Sequence, residues 1–368
     1  MGLPMAFGRL IVPVAMKAID DPFPASVPAS RPPSSGRQPR PADAHGESRV
    51  DIQHLSSHAQ RLQPQGRSLE REFPKLALSQ LTLIRMPFEE AILTFRSEGF
   101  RSIGLWRPRL ADFGEERAAL LLNESGMSVS SLSFAGGFTG SHGYRYTEAI
   151  NDGFDALRQA SIVGAETVVL VAGGLNGHIT KHARRNVVDG IKALSERAEQ
   201  VGVQLALRPM RRTFHHTWSF LNTCDETIDI LDKIQCPNVR LAIDLYHCGL
   251  DLDWRKSLRH IAPYTSLVFV NDLPSPHSTE YEMCLPGEGM LPIRSILEEM
   301  VIGGFEGKFE VHVWSEKLWE LPPRRLFAGV RESMAKVWPA AWENWARMYR
   351  HLPPGSEPLP PPRIQPAE

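Results

Sequence analysis

Eight short apolar runs, each followed by a stretch with apolar residues at helical spacing, occupy residues 74–351. The alternation predicts repeated strand–helix units, because buried parallel strands are nearly continuous apolar runs and their crossover helices are amphipathic. Eight units in a segment of this length match a (β/α)8 TIM barrel, a closed parallel sheet with outer helices. The predicted strands are residues 76–83, 102–106, 127–133, 167–171, 203–207, 239–243, 267–270 and 308–313.

Proline and glycine mark several of the predicted helix ends. Pro87 opens the first helix and Gly99 closes it, as the terminal preferences of these residues indicate. Pro339 predicts a kink or an interruption in the last helix, because proline lacks the backbone N–H. The predicted helices are residues 87–99, 146–163 and 223–234, with others lying within 110–124, 183–200, 254–261, 293–300 and 323–349.

An open, doubly wound α/β sheet is the competing architecture. That fold would place a glycine-rich G-x-G-x-x-G turn after the first strand. Residues 82–85 instead read Thr-Leu-Ile-Arg, so the barrel is favoured.

The segments that flank the predicted barrel have a different composition. Residues 21–73 are rich in Pro, Ser, Arg, Gln and His, and such a segment buries too little apolar surface to offset its ordering entropy. We therefore predict a disordered extension over 1–73, a barrel over 74–351 and a Pro-rich disordered tail over 352–368. Residues 1–16 lack the layout of a signal peptide and are interpreted as non-targeting.

Charge and cysteine content exclude several classes of protein. The formal net charge of -1 lacks the basic excess of a nucleic-acid-binding protein. No apolar run approaches the roughly 20 residues of a membrane span. The four cysteines form no C-x-x-C pair and are interpreted as reduced thiols of a cytoplasmic protein.

Polar side chains stand where the fifth, sixth and eighth predicted strands end, and these ends meet at one mouth of a TIM barrel. Arg208 follows strand five, Asp244 ends strand six, and His312 lies in strand eight. His247, three residues after Asp244, reaches the same region. A carboxylate at the end of a buried strand needs a partner or water. Glu310 and His312 share one face of their strand, and this strand alone does not tell whether that face points inward.

Two loops offer further polar groups, each with a simpler alternative. His178, His182 and Arg185 follow strand four and reach the start of a helix, where a basic cluster either binds an anion or is merely solvated. Glu288 lies in a Pro-Gly-Glu-Gly turn, which is either a shaped part of the site or a plain surface turn.

Six short motifs together resemble the xylose isomerase-like TIM barrels, a family of sugar phosphate isomerases and epimerases. The resemblance extends over residues 76–319 and rests on the order and spacing of these motifs. Trp106 is part of the first motif. The motifs are Gly-Leu-Trp-Arg at 104–107, Ser-Ser-Leu-Ser-Phe-Ala-Gly-Gly-Phe-Thr-Gly at 130–140, His-Ala-Arg-Arg at 182–185, Trp-Ser-Phe-Leu at 218–221, Asp-Leu-Tyr-His at 244–247 and Pro-Gly-Glu-Gly at 286–289.

The resemblance implies one divalent cation (Mn, Mg, Co or Zn) at the mouth, held by residues of strands five to eight. Laid on this chain, the four ligand positions are Arg208, Asp244, Phe269 and His312. Asp244 is the only retained family ligand, because Arg is a permanent cation and Phe has no lone pair to donate. Asp244 and His312 are the two plausible ligands, which are too few for a hard cation such as Mg²⁺. A zinc site helped by His247 stays open, although it lacks the usual third protein ligand. We therefore expect the Arg208 guanidinium to lie near the position of the ion and to pair with Asp244.

Two functions follow from this resemblance. The first is isomerisation or epimerisation of a small sugar-type substrate by proton transfer next to a carbonyl. His247, His312 and Arg208 are then the candidate catalytic residues, and the candidate substrate-binding residues are His178, His182, Arg185, Trp106 and Glu288. The second is a catalytically degenerate, metal-free barrel that binds a sugar-like ligand or a partner, with a homo-oligomer possible in either case. The zinc-dependent AP endonucleases of the same fold are disfavoured, because their many His and acidic ligands are missing here.

Overall fold

The computed structural model describes residues 69, 73, 75–140, 145–250, 257–279 and 282–339. Eight parallel strands pair in chain order, and the last strand also pairs with the first, so the sheet closes. The predicted (β/α)8 barrel is confirmed. The strands are β1 (Leu76–Ser79), β2 (Ser102–Trp106), β3 (Ser128–Gly136), β4 (Thr167–Val171), β5 (Gln204–Arg208), β6 (Val239–Asp244), β7 (Thr265–Val270) and β8 (Lys308–Val311).

The helices pack on the outside of the barrel, where their apolar sides and the outward-facing strand residues form the main hydrophobic core. They are α1 (Phe88–Ser97), α2 (Arg107–Phe113), α3 (Glu115–Glu124), α4 (Tyr146–Val163), α5 (Thr180–Gln200), α6 (Cys224–Ile234), α7 (Leu245–Cys248), α8 (Ser257–Ile261), α9 (Ile293–Ile302), α10 (Glu316–Trp319) and α11 (Pro323–Val337). Among the described residues, no helix is long and apolar enough to cross a membrane.

Several predicted elements differ in extent from the structure, including strand three, which runs to Gly136, and strand eight, which ends at Val311. Two of the differences have a clear backbone cause. The first strand stops at Ser79, whose hydroxyl accepts a hydrogen bond from Leu81 N at 3.4 Å and so starts a 3-10 turn over Gln80–Leu83. The predicted helix within 110–124 is two helices, because Gly114 has a φ of +96° that interrupts helical geometry.

The last helix ends where proline chemistry predicts. Helix α11 stops at Val337, and Trp338 is extended, with φ -61° and ψ 132°. Proline disfavours the helical conformation in the residue before it, and Pro339 follows Trp338. The interruption expected at Pro339 is therefore present.

Two residues of the predicted N-terminal extension are part of the packed structure. Leu69 and Phe73 are both buried, and the Phe73 ring meets the Trp338 ring edge-on at 5.3 Å. Apart from residues 69 and 73, the extension predicted over 1–73 lies outside the described residues, as does the predicted tail over 352–368.

The interior of the barrel combines a small apolar cluster with a buried acid. Val169, Ala206, Ala242, Leu267 and Phe269 form the cluster.

Glu310 lies in the interior beside Gly104, where a Cβ atom would come within 1.9 Å of the Glu310 Oε1 atom. Glycine at this position therefore makes room for the carboxyl group. The question left open by the alternation in β8 is settled, since Glu310 points inward and the His312 side chain lies over the inward-facing Phe269 ring at 4.5 Å.

Candidate ligand site at the barrel mouth

A buried ion pair joins the ends of β5 and β6. Arg208 Nη2 donates a hydrogen bond to Asp244 Oδ2, and the two side chains are 3% and 0% exposed. The pairing expected between these residues is therefore present. Arg208 is the last residue of β5 and Asp244 the last of β6, so adjacent strands deliver both groups to the same level of the barrel.

The second oxygen of Asp244 holds the backbone that follows β6. Asp244 Oδ1 accepts hydrogen bonds from Tyr246 N and from Asn271 Nδ2, each at 3.0 Å. Burial raises the pKa of Asp244 above its ordinary value, and Arg208 opposes that effect most strongly. Because a guanidinium stays charged, the carboxylate is the form that balances it.

Asn271, which sequence reasoning did not single out, ties three strand ends together. Its Nδ2 group also donates to the carbonyl oxygen of His312 at 2.8 Å, and its Oδ1 atom accepts from Tyr246 N at 2.7 Å. The residue is fully buried just after β7. The feature of the sequence that could have identified Asn271 is a polar residue directly after a buried strand.

Aromatic rings flank the Arg208 guanidinium. Its central carbon lies 5.1 Å from the ring centroid of Phe134 and 5.1 Å from that of Phe269. These contacts favour a cation electrostatically and exclude water from it. Arg208 Nε is buried and has no hydrogen-bond partner within the described residues.

His247 presents a neutral ring to the mouth. Its Nδ1 atom faces the Arg211 backbone N–H at 3.5 Å, which assigns Nδ1 as an acceptor and places the proton on Nε2. Burial lowers the pKa of His247 well below its ordinary value, and the charge of Arg208 lowers it further. In this neutral form Nε2–H can donate a hydrogen bond, and Nδ1 accepts one from the Arg211 backbone.

His312 is also buried but lies away from the open space. Its Nδ1 atom is 3.0 Å from Ser79 Oγ, and its ring packs on Phe269 with 4.5 Å between centroids. Burial, followed by the charge of Arg208, holds the pKa of His312 well below its usual value.

The open space above the ion pair is a narrow cavity of about 10 Å³, which is room for about one water molecule. Aromatic, aliphatic and thioether side chains form most of its wall, and Arg208 and His247 are its titratable groups. The lining residues are Phe134, Val171, Arg208, Met210, Trp218, His247, Met283 and Trp314.

A second buried acid lies deeper in the barrel. Glu310 Oε2 accepts hydrogen bonds from the hydroxyls of Ser130 and Ser131, each at 2.8 Å. Burial is the main cause that raises the pKa of Glu310 to about 7, although these hydroxyls oppose it. Glu310 is a buried titratable group that the sequence alone did not place.

The five residues proposed as substrate ligands lie elsewhere. His178 lies in the loop after β4 and meets the ring of His182, in the first turn of α5, edge-on at 4.7 Å. His178 Nε2 lies 3.0 Å from the Thr139 carbonyl oxygen. Arg185 and Glu288 are exposed. Trp106 is buried in a cluster with Leu81, Ile84 and Trp319. None of the five lines the pocket described above.

The Pro-Gly-Glu-Gly turn is held from below by Asp272. This buried carboxylate accepts hydrogen bonds from the backbone N–H groups of Gly287 and Gly289 at 2.9 Å, and from Leu273 and Leu291 at 2.7 and 3.0 Å. The turn is therefore shaped by Asp272, while the Glu288 side chain points to solvent.

Comparison with known proteins agrees with this architecture. A family model described as xylose isomerase-like TIM barrel matches residues 94–337. The chain belongs to this family. Relatives of this chain include sugar epimerases and isomerases. They support isomerase or epimerase chemistry for the family as a whole and no specific reaction for this chain.

Two relatives illustrate the range of the xylose isomerase-like family. D-psicose 3-epimerase of Enterocloster bolteae is 25% identical over 158 residues, which cover 39% of this chain and 49% of that protein. The match thus spans about half the length of the epimerase. A putative hydroxypyruvate isomerase of Xenopus laevis is 26% identical over 238 residues, covering 60% of this chain and 83% of that protein.

Solved structures share the fold. Protein SMc04130 of Sinorhizobium meliloti 1021 superposes with a TM-score of 0.68 at 27% identity, covering 72% of this chain and 99% of that one. The IolI protein, solved with a bound zinc atom, gives a TM-score of 0.63 at 17% identity, covering 72% and 97%.

The residues at this mouth do not fit the divalent cation expected from the family. Within the described part of the chain, no three His, Cys, Asp or Glu side chains are grouped so as to hold a metal ion. The one expected ligand that is retained, Asp244, is already bonded to Arg208, Asn271 and Tyr246. A guanidinium cannot ligate a metal, and it supplies the positive charge that the carboxylate needs.

Proposed function

We propose that the barrel mouth binds a small sugar-type carbonyl compound without a metal ion and does not isomerise it. The buried Arg208–Asp244 ion pair carries this proposal, because it places a fixed cation at the level where the family expects the metal. The remaining Arg208 N–H groups and the His247 Nε2–H group are donors suited to hydroxyl and carbonyl oxygens of the ligand.

The proposal that turnover is lost depends on the missing base. Abstraction of a proton next to a carbonyl requires an acceptor within hydrogen-bond reach of the substrate. Arg208 has no acceptor atom, and the Nδ1 lone pair of His247 faces the Arg211 backbone N–H. His312 and Glu310 lie outside the pocket wall. The lining therefore suits binding better than proton transfer.

The composition of the wall is consistent with a sugar ligand. The rings of Phe134, Trp218 and Trp314 provide flat apolar surface for the C–H faces of a carbohydrate, which would enter as these side chains move apart. Few precisely placed polar groups in an otherwise apolar cavity are typical of small-molecule sites.

Isomerisation or epimerisation is the second candidate function, and the relatives favour it. D-psicose 3-epimerase and the putative hydroxypyruvate isomerase are named for reactions of this kind. In this mechanism Arg208 would stabilise the enediolate oxygen in place of a metal, and His247 or His312 would move the proton.

Solvent deuterium exchange distinguishes the two functions. We expect saturation-transfer NMR to show D-psicose bound to the wild-type protein, and the signal to be lost in Arg208→Met. Prolonged incubation in D2O should leave the C–H bonds next to the ketose carbonyl unlabelled, with or without added Mn²⁺. Protein-dependent deuterium incorporation, or appearance of the epimer, would contradict the binding proposal and support the enzyme. Absence of any Arg208-dependent binding of small ketoses or acids would contradict both functions.

A further inference from the structure

A second cavity lies at the N-terminal end of the barrel, opposite the mouth, where β1, β2, β3 and β8 begin. Its volume is about 30 Å³. A single water molecule needs only about 10–15 Å³ of such space, so this cavity has room for a larger occupant. The basic and hydroxyl side chains of its wall are Lys75, Arg101, Ser102, Ser128 and Lys308.

Ser102 brings an unsatisfied hydroxyl group to this cavity. Ser102 is the first residue of β2 and is 3% exposed, and its Oγ atom has no hydrogen-bond partner within the described residues. Gly104 faces Glu310 in the barrel interior, and side chains alternate along a strand, so Ser102 faces inward as well. A buried hydroxyl without a partner is costly, and an acceptor inside the cavity would remove that cost.

Two lysines bring positive charge to the same level of the barrel. Lys308 precedes Glu310 by two residues in β8 and shares its inward face. The Lys75 carbonyl oxygen accepts a hydrogen bond from Phe309 N at 3.0 Å, so the two lysines are neighbours across the start of β8 and β1. Burial is the main cause that lowers the pKa of Lys75, Glu306 opposes it, and the charge of Lys308 lowers it further. An anion between the two ammonium groups would relieve this repulsion.

The carboxylates nearest to these lysines lie toward solvent. Lys308 Nζ is 3.6 Å from Glu166 Oε1, and the Glu166 side chain is 50% exposed. Ion pairs of this kind contribute little to stability. Glu306 accepts from Lys75 Nζ through its backbone carbonyl oxygen, and its side chain is exposed. The Lys308 ammonium group therefore remains suited to an anion on the cavity side.

We propose that the N-terminal cavity binds a small inorganic anion, such as chloride, through the ammonium groups of Lys308 and Lys75 and the hydroxyl group of Ser102. Such an ion would join the starts of β8, β1 and β2 and stabilise the closed sheet. This role agrees with the division of labour in TIM barrels, whose N-terminal face serves stability and whose opposite face serves function. The inference does not depend on the function proposed for the mouth.

Anion-dependent stability of the full chain tests the proposal. Thermal unfolding is compared in sodium chloride and in sodium gluconate at equal ionic strength, because screening is then the same and gluconate is too large for the cavity. We expect chloride to raise Tm by about 2–4 °C once its concentration exceeds its Kd about tenfold. Chloride NMR lines should broaden when the protein is added, which reports binding without unfolding.

Variants assign the effect to the cavity. Ser102→Ala and Lys308→Met should each abolish the chloride-dependent rise in Tm and most of the line broadening. Lys192→Met removes an exposed lysine of α5 and is the matched control, which should behave as the wild type does. Glu166→Gln breaks the contact with Lys308 and should retain chloride binding. If Lys308→Met does not fold, Ser102→Ala decides.

Three results would overturn the inference. The first is equal Tm values in the two salts together with unbroadened chloride lines. The second is chloride binding that Ser102→Ala and Lys308→Met leave unchanged, which would place the ion elsewhere. The third is binding that appears only after Glu70→Gln with Glu72→Gln, which would mean that a carboxylate of this chain occupies the cavity. Inorganic phosphate that raises Tm and reverses the chloride broadening would support the same site and identify an oxyanion as its preferred occupant.

Discussion

Asp244→Ala is expected to lower the free energy of unfolding by about 3–5 kcal/mol, the range seen when one partner of a buried ion pair is removed. The substitution leaves the Arg208 guanidinium buried between two aromatic rings without a counterion. It also removes one of the two oxygen acceptors of the Asn271 Nδ2 group, which keeps its hydrogen bond to the His312 carbonyl oxygen. Urea denaturation followed by circular dichroism would measure the change.

Two controls separate the charge effect from a general loss of packing. The double substitution Arg208→Met with Asp244→Leu removes both charges and keeps apolar volume, so it should cost much less than Asp244→Ala alone. Asp229→Ala breaks the exposed Arg184–Asp229 pair, in which Asp229 is 66% exposed, and should change stability by less than about 1 kcal/mol. Equal losses in the single and double variants at the mouth would show that the charges are not coupled.

Glu310→Gln is expected to change how stability depends on pH. Burial raises the pKa of Glu310 to about 7 from an ordinary value of 4.5. Between pH 4.5 and pH 7 the Glu310 carboxyl is ionised in the unfolded chain and protonated in the folded protein. The contribution of Glu310 to the free energy of unfolding is therefore fully present below pH 4.5. It falls as the pH rises through 7. The total change is about 3 kcal/mol, since each pH unit of difference corresponds to about 1.4 kcal/mol.

The measured quantity is the difference in unfolding free energy between wild type and Glu310→Gln at each pH from 4 to 8. His247 and His312 act in the opposite direction, because their pKa values are lowered in the folded state and stability is lost as they protonate in acid. Their effect is common to both proteins and cancels in the difference. Parallel profiles for the two proteins would show that Glu310 does not keep its proton in the fold.

Much of the fold could be predicted from the sequence because its signals are local. The apolar runs and the amphipathic stretches alternate often enough to specify eight units, and strand topology then brings Arg208 and Asp244 to one mouth. Opposite charges on adjacent buried strands have few alternatives to pairing. Boundaries failed where a single backbone conformation decides them, as at Ser79 and Gly114.

The pocket itself could not be predicted, because its wall comes from residues far apart in the chain. Trp218 lies in the loop after β5 and Met283 in the loop after β7, and only the folded loops place them over Arg208. The inward position of Glu310 depends on a glycine across the sheet at position 104, which a four-residue strand does not reveal. Likewise, the chemistry of His178 and Glu288 favours a ligand-binding role, but neither residue lines the pocket in the folded protein.

We propose that Arg208 takes the place that the family resemblance assigns to a metal ion, and metal binding by the tag-free protein tests this most directly. Plasma mass spectrometry of the purified protein, with titration of Mn²⁺, Co²⁺ and Zn²⁺ monitored by thermal unfolding, gives both content and affinity. A variant with His178→Ala and His182→Ala controls for cation binding at that surface pair. We predict no stoichiometric metal and no rise in Tm in either protein. One equivalent of a divalent cation that raises Tm in both proteins, and that Asp244→Asn abolishes, would contradict the account.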